Sequence, residues 1–492
     1  MPHIDGAGLK TAYTADCDVV VVGSGAGGAV TASALAEAGL KVIVVEEGAY
    51  IRGDRMNGRP LAMFDLLYRD RGLTATLGMP PIPVPLGKAV GGTTVINSAT
   101  CFRTPANVLK RWEQEFGVEG ATAFDPFYAE VERDLDIKPV PDRIYGEQAR
   151  RFETASTALG YRGRRIPRNE RGCDGFGVCA FGCPNDAKQA MSVSYIPRAM
   201  QAGAELLSRA KVDGVVVEKG VARGIRGRFT GADGNPTGVR FEVFAERIVV
   251  AAGAFFTPAL LMRSGVRGPR LGRNLHLHPA TRVVAKYAEA VQGWGEVPQS
   301  YNVDEFIDEG IFIQGQFTPP GVQAPNVPGF GAAHQARMHD FDHYGSFGAL
   351  ISDESAGRVF KNGLVWYSLN AKDVEKLRRA IALTTRIFLQ AGATEVYTGV
   401  SPQAIVRNSA DLEALRDKKV RAGDLEMMAF HPMGTCAAGR DRPQGVTDAY
   451  GAVHGVRGLY VADTSLFPTS NRINPQLTLM AWALRNARRM AS

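Results

Sequence analysis

Apolar positions recur in two rhythms along the chain. Residues 18–22 (DVVVV) and 41–46 (KVIVVE) are short, unbroken runs rich in β-branched residues. That is the pattern of strands buried on both faces of a parallel sheet. An Ala-rich helix stopped by Gly39 lies between them. Residues 247–252 read as another such strand, followed by a small-residue turn at Gly253 and a helix. LYVAD reads as a further strand, ending in Asp463. The stretch 347–399 alternates apolar and polar residues, the rhythm of half-exposed strands, and then changes to a long amphipathic helix opened by Asp373. Asn474 suits the N-cap of a C-terminal helix, Pro475 its first position, and Arg488 and Arg489 its last turn. The class is α/β: a Rossmann-like domain built from discontinuous segments, joined to an α+β domain with an antiparallel sheet. Residues 318–334 read as a loop without periodicity.

The chain has 492 residues, too many for one simple core, which suggests two intimately joined domains. Its composition is that of a soluble globular protein, with 45% hydrophobic and 22% charged residues. The net charge of +7 is spread out, and the densest basic run, ending near Arg168, lacks the interleaved aromatics of a nucleic-acid surface. It reads as a solvated face, with attraction for anionic substrates or an acidic redox partner left open. No apolar leader opens the chain, and no run reaches the roughly 20 apolar residues of a membrane span. Six cysteines make no disulfide framework in so long a chain, so a cytoplasmic, reducing location is expected.

Gly23, Gly25 and Gly28 complete G-x-G-x-x-G between the first strand and the helix, and Glu46 ends the second strand. Each has a job in a dinucleotide site. Gly23 permits the tight turn, Gly25 lets backbone approach a pyrophosphate, and Gly28 allows close helix–sheet packing. The helix N-terminus attracts the phosphates, and Glu46 accepts from a ribose hydroxyl. A second glycine turn, Gly91-Gly92-Thr93-Thr94, brings backbone and hydroxyls near a ligand, and Asn97 adds an amide.

GKAVGGTTVIN (87–97), AAGAFFTPALLMRSGV (251–266), LGRNLHLHP (271–279) and FHPMGTC (430–436) together resemble the glucose–methanol–choline (GMC) oxidoreductase family of flavoproteins. The pattern is most similar to its cholesterol and long-chain alcohol oxidases and its bacterial sugar dehydrogenases. The resemblance implies FAD held by residues 12–58, 85–108, 200–285 and 440–492, and a substrate domain of residues 109–199 and 286–439. Residues 59–84 would form a lid. It adds Val212, Gly253, Asp463 and Pro475 to the cofactor-binding positions. It places His431 at the flavin's reactive face with Asn474 as its partner. The implied chemistry is oxidation of an alcohol by hydride transfer to flavin N5. An imidazole can take the hydroxyl proton near neutrality, and an amide can hold the oxygen. Some members link FAD covalently through a histidine just before the second glycine turn. Here Pro85, Leu86, Gly87 and Lys88 stand there, so non-covalent FAD is expected. His276 and His278 read as structural.

The implied substrate is a hydrophobic alcohol, a sterol or a sugar, with oxygen or a redox protein taking the electrons. A flavin-scaffolded lyase or isomerase, or an FAD-binding electron-transfer subunit, are the alternatives. The intact His431 and Asn474 argue against both.

Cys173, Cys179 and Cys183 fall within CDGFGVCAFGCP. The C-x5-C-x3-C-P spacing resembles the segment that holds a three-iron [3Fe-4S] cluster in the family's sugar dehydrogenases. A structural turn, a disulfide and a zinc site are the other readings. Zinc would need a fourth ligand, and a disulfide would strand one thiol.

Overall fold

The computed structural model describes residues 3–402 and 405–492. The β-branched runs become the middle of an eight-stranded sheet. Its order is His3–Asp5, Glu205–Ser208, Val42–Val45, Tyr13–Val22, Pro236–Val250, Val221–Thr230 and Ala210–Glu218, and Leu459–Val461 pairs with the end of Pro236–Val250. The first five strands and Leu459–Val461 are parallel; the last three along the path form an antiparallel meander. In register, Val20 lies between Ile43 and Ile248. The strands run longer than the apolar cores that announced them, starting at Tyr13 rather than 18 and at Pro236 rather than 247. The added residues face solvent on one side, so they carry no continuous apolar signal.

Helix Ala26–Glu37 is buried almost throughout. It packs against the C-terminal helix Gln476–Ala491 and the short helix Tyr195–Gln201. Small residues also seat its first turn directly on neighbouring backbone. A Cβ on Gly27 would lie 1.9 Å from the Ala462 carbonyl oxygen, and one on Gly28 would lie 2.1 Å from that of Gly23. The C-terminal helix is anchored by an aromatic cluster in which Trp482 stacks on Phe467 at 5.8 Å and Phe467 meets Trp112 at 5.0 Å. Trp482 Nε1 also donates to the Ala449 carbonyl at 2.9 Å.

The start of that helix departs from the sequence expectation. Pro475, not Asn474, holds the N-cap position, and no side chain caps it. The Asn474 amide turns away to His431 instead. Pro475 and Gln476, at the helix start, line the cavity described below.

A seven-stranded antiparallel sheet runs Ile405–Val406, Glu395–Tyr397, Val283–Lys286, Tyr344–Ile351, Ile311–Gly315, Tyr301–Val303 and Gly163–Arg165. Helix Ala371–Gln390 covers it, starting two residues before Asp373. Asn370 is its cap, accepting from the Asp373 N–H at 2.9 Å. Asp373 is instead held inside the first turn by the Ser355 hydroxyl at 2.6 Å. Phe152 of helix Glu147–Ala158 stacks on Phe347 of the sheet at 3.6 Å. Residues 318–334 are not irregular throughout. They contain the helix Pro320–Gln323 and the start of Gly331–His339. Both are too short for periodicity to register. Residues 59–84 contain helix Pro60–Leu67 and are tied down by bridges from Ala75 to Pro83 and from Leu77 to Trp366. Among the described residues, no helix is long and apolar enough to cross a membrane.

Candidate active site

A cavity of about 860 Å³ is lined by residues of both sheets and by the N-terminus of the C-terminal helix. At one end lie the glycine turns. Gly23 has φ +103°, and a Cβ there would meet the Ala251 carbonyl oxygen at 2.4 Å. Gly25 is different: an added Cβ would meet no protein atom within 4 Å. Its neighbours leave a ligand-sized space over the helix N-terminus, where a pyrophosphate would accept backbone N–H groups. The second glycine turn closes on this one, with a Cβ on Gly92 falling 2.9 Å from Gly25 Cα.

Ser24 joins the two turns. Its hydroxyl accepts from the Gly91 N–H at 2.9 Å and donates to Glu46 Oε2 at 2.7 Å. The Glu46 carboxylate also accepts from the Ser24 N–H at 3.1 Å and the Gly48 N–H at 2.8 Å. Three donors leave it acceptor capacity toward the cavity. Burial raises its pKa, against the pull of the Ser24 and Gly48 bonds. Sequence reasoning passed over Ser24 and Gly27; both sit inside the motif, at positions its consensus leaves free.

The other expected cofactor positions gather around the same cavity. Val212, Gly253, Asp463, Thr93, Asn97 and Pro475 all line it. Asp463 accepts from the Gly253 N–H at 2.9 Å, the Thr257 hydroxyl at 2.5 Å and the Ser465 N–H at 2.8 Å, so it shapes the Gly253 turn. The Asn97 amide is bonded at both ends, donating to Gln476 Oε1 at 2.7 Å and accepting from the Ala99 N–H at 3.1 Å. It ties the second turn to the C-terminal helix rather than projecting a free amide. Arg69, unnoticed in the sequence, lines the cavity and pairs with Glu47 at 2.8 Å.

His431 lines the cavity beside this helix start. Asn474 Nδ2 donates to its Nε2 at 3.3 Å. Neither His431 Nδ1 nor Asn474 Oδ1 has a partner, although both are buried. Burial, and then the neighbouring His278, hold the His431 pKa well below the ordinary imidazole value. The ring is therefore neutral near neutral pH and able to accept a proton. The His278 ring centroid lies 5.3 Å away, and burial pushes that imidazole down to about 4. His276 is buried 3.7 Å from Asp353, which in turn accepts from the Tyr367 hydroxyl at 2.7 Å. That group is a packed polar cluster behind the site. No cysteine, and no histidine besides His431, is among the described residues that line the cavity.

The cysteine-rich turn does not assemble a metal site. Among the described residues, no three His, Cys, Asp or Glu side chains converge to hold a metal ion, and all six cysteines are free thiols. Cys183 Sγ donates to Asn185 Oδ1 at 3.2 Å, and Cys179 Sγ accepts from Arg168 Nη2 at 3.5 Å. The turn instead clamps the stretch after the second glycine turn. Buried Lys188 donates to the carbonyls of Val95 (2.7 Å), Asn97 (2.7 Å) and Cys179 (2.8 Å). Buried Arg168 donates to that of Ser98 at 2.5 Å.

Residues 64–280 and 365–483 match sequence profiles described as GMC oxidoreductase, and residues 18–57 match an FAD binding domain. A GMC-type oxidoreductase of Mycobacterium tuberculosis (strain ATCC 25618 / H37Rv) is 40% identical over 478 residues, covering 95% of this chain and 74% of that one. A long-chain-alcohol oxidase of Arabidopsis thaliana is 28% identical over 96% of this chain and 67% of its own. In fold, the chain is similar to pyridoxine 4-oxidase from Mesorbium loti, with a TM-score of 0.74 at 20% identity over 96% of this chain and 99% of that one.

Proposed function

The chain belongs to the GMC oxidoreductase family, and we propose that it oxidises an alcohol to a carbonyl compound beside a non-covalently held FAD, with His431 and Asn474 at the reacting oxygen. The observation that supports this most is the pair itself: a neutral, buried imidazole and an amide with an unpartnered oxygen, side by side in the cavity that the glycine turns enter. The open space at Gly25 and the acceptors of Glu46 fit the cofactor's pyrophosphate and ribose.

Bound FAD supplies the acceptor for the hydride that leaves the carbinol carbon. The residues of the chain do the rest. His431 takes the hydroxyl proton, and Asn474 fixes the ring and the oxygen relative to one another. The uncapped start of the C-terminal helix points its positive end, about half an elementary charge, into the cavity, favouring an anionic reduced cofactor. The buried surroundings keep His431 unprotonated between turnovers. Residues 59–84, which contribute Tyr68 and Arg69 to the lining, would cover the site as a lid. FAD held there would be reoxidised by oxygen or a redox protein.

Anaerobic mixing with a panel of alcohols tests the reading: one class should bleach the flavin and yield the matching carbonyl compound. A lyase or an electron-transfer subunit would leave the flavin oxidised with every alcohol. Acid precipitation of the same protein should release the flavin, because no histidine stands just before the second glycine turn and no cysteine is among the described residues that line the cavity.

A further inference from the structure

The wall of the cavity contributed by the antiparallel sheet carries a polar cluster among apolar residues such as Phe317 and Leu350. Arg282, just before strand Val283–Lys286, lines it together with Gln314, Gln316 and Thr318. The residue is half-buried. Nη1 donates to Asn326 Oδ1 at 2.8 Å and to Thr318 Oγ1 at 3.3 Å. The Gln316 amide, with its oxygen toward the guanidinium, accepts from Nη2 at 2.8 Å and Nε at 3.0 Å. Four of the five N–H donors of an arginine are then directed at neutral oxygens, and one on Nη2 is left over. Glu426 acts on the charge only through space, its carboxylate being bonded to the Asn326 amide. Burial lowers the Arg282 pKa to about 10, still far above neutrality, so the cation persists. The Gln314 Oε1 atom nearby in the lining is buried without a partner. The charge is opposed only at a distance, by Glu426, and one Nη2 donor is left for a charge-assisted hydrogen bond, which a carboxylate accepts well.

We propose that Arg282 is the anchor for a carboxylate on the substrate, so that the alcohol oxidised here is a hydroxy acid. This rests on the reading of His431 as the proton acceptor. The two groups lie in opposite directions from one isolated backbone bridge. Ala280 pairs antiparallel with Met428, Arg282 lies two residues beyond Ala280, and His431 lies three residues beyond Met428 in the other direction. At the rise of an extended chain, that offset of five residues separates their Cα atoms by at most roughly 16 Å. The hydroxyl and the carboxylate are therefore several carbons apart, unlike those of an α-hydroxy acid.

The test compares matched pairs: para-hydroxymethylbenzoate against benzyl alcohol, and omega-hydroxyhexanoate against hexanol, with lactate as the short control. For the holoenzyme, kcat/KM should favour the acid of each long pair by at least about 10-fold, the lower reach of a charge-assisted hydrogen bond, and lactate should show no such advantage. Arg282→Gln should collapse that ratio to near one, chiefly through KM, and Arg282→Lys should retain part of it. Because both members of a pair are read on the same variant, misfolding cannot mimic the result. Benzoate should raise the thermal midpoint of the wild type and not that of Arg282→Gln, a readout that survives even if no alcohol reacts. Neutral alcohols that react as well as the acids, with a ratio unmoved in Arg282→Gln, would overturn the carboxylate anchor and leave alcohol oxidation standing. Failure of benzoate to stabilise the wild type would overturn it as well.

Discussion

Replacing His431 by Ala should slow reduction of the flavin by substrate at least on the order of 10²-fold, the usual share of a positioned proton acceptor. Bound FAD should stay near the wild-type level, since His431 contacts Asn474 and no cofactor-cradling glycine. Rapid mixing with the flavin content measured beforehand separates the two quantities. The pH profile makes the assignment sharper. Burial first, and His278 second, depress the His431 pKa. A base with a depressed pKa remains free of its proton as the pH falls through the ordinary imidazole range. The acid limb of the wild-type reduction rate should accordingly lie below 6.5, and a limb at or above that value would contradict the burial argument. Asn474→Ala should cost less in rate. It should not weaken the C-terminal helix, because its side chain does not cap that helix.

Gly25→Ala and Gly27→Ala should behave as opposites, although the two residues are nearly adjacent. An added Cβ on Gly25 meets no protein atom within 4 Å, and its φ of −69° is ordinary. Stability of the cofactor-free protein should change by no more than about 1 kcal/mol, the scale of an N-cap change, while FAD retention falls because the methyl enters the cofactor's space. On Gly27 the Cβ would press 1.9 Å from the Ala462 carbonyl oxygen, a backbone atom that cannot swing aside. That substitution should destabilise the cofactor-free protein itself by about 1–3 kcal/mol, the cost of overpacking, and lower its unfolding midpoint. Thermal unfolding without FAD and flavin content after gel filtration read the two effects. Equal behaviour of the variants would mean that the space above Gly25 is not the cofactor's.

The parallel half of the fold was legible because strands buried on both faces leave unbroken β-branched runs, as at 18–22 and 41–46. Strand Pro236–Val250 was legible only at its buried end; the rest alternates toward solvent and gives a weaker signal. His431 and Asn474 were placed as a pair by motif position, and the structure brings the two side chains within 3.3 Å. Asn474 was also expected to cap the helix, but one side chain satisfied His431 instead. The work of Ser24, Lys188 and Arg282 could not be read from the chain. Each acts through partners far away in sequence, such as Gly91, Val95 and Thr318, and no local spacing encodes such a contact. The cysteine turn shows the converse: its spacing resembles a cluster segment, yet among the described residues no three such side chains converge to hold a metal ion.

The most direct measurement is anaerobic reduction of the bound flavin in a single turnover, using a reactive alcohol carrying deuterium or hydrogen at the carbinol carbon. Alcohol oxidation at His431 predicts stoichiometric bleaching, one carbonyl product per flavin, and a slower rate with the deuterated alcohol. Flavin that stays oxidised with every alcohol yet is readily reduced by dithionite would contradict it.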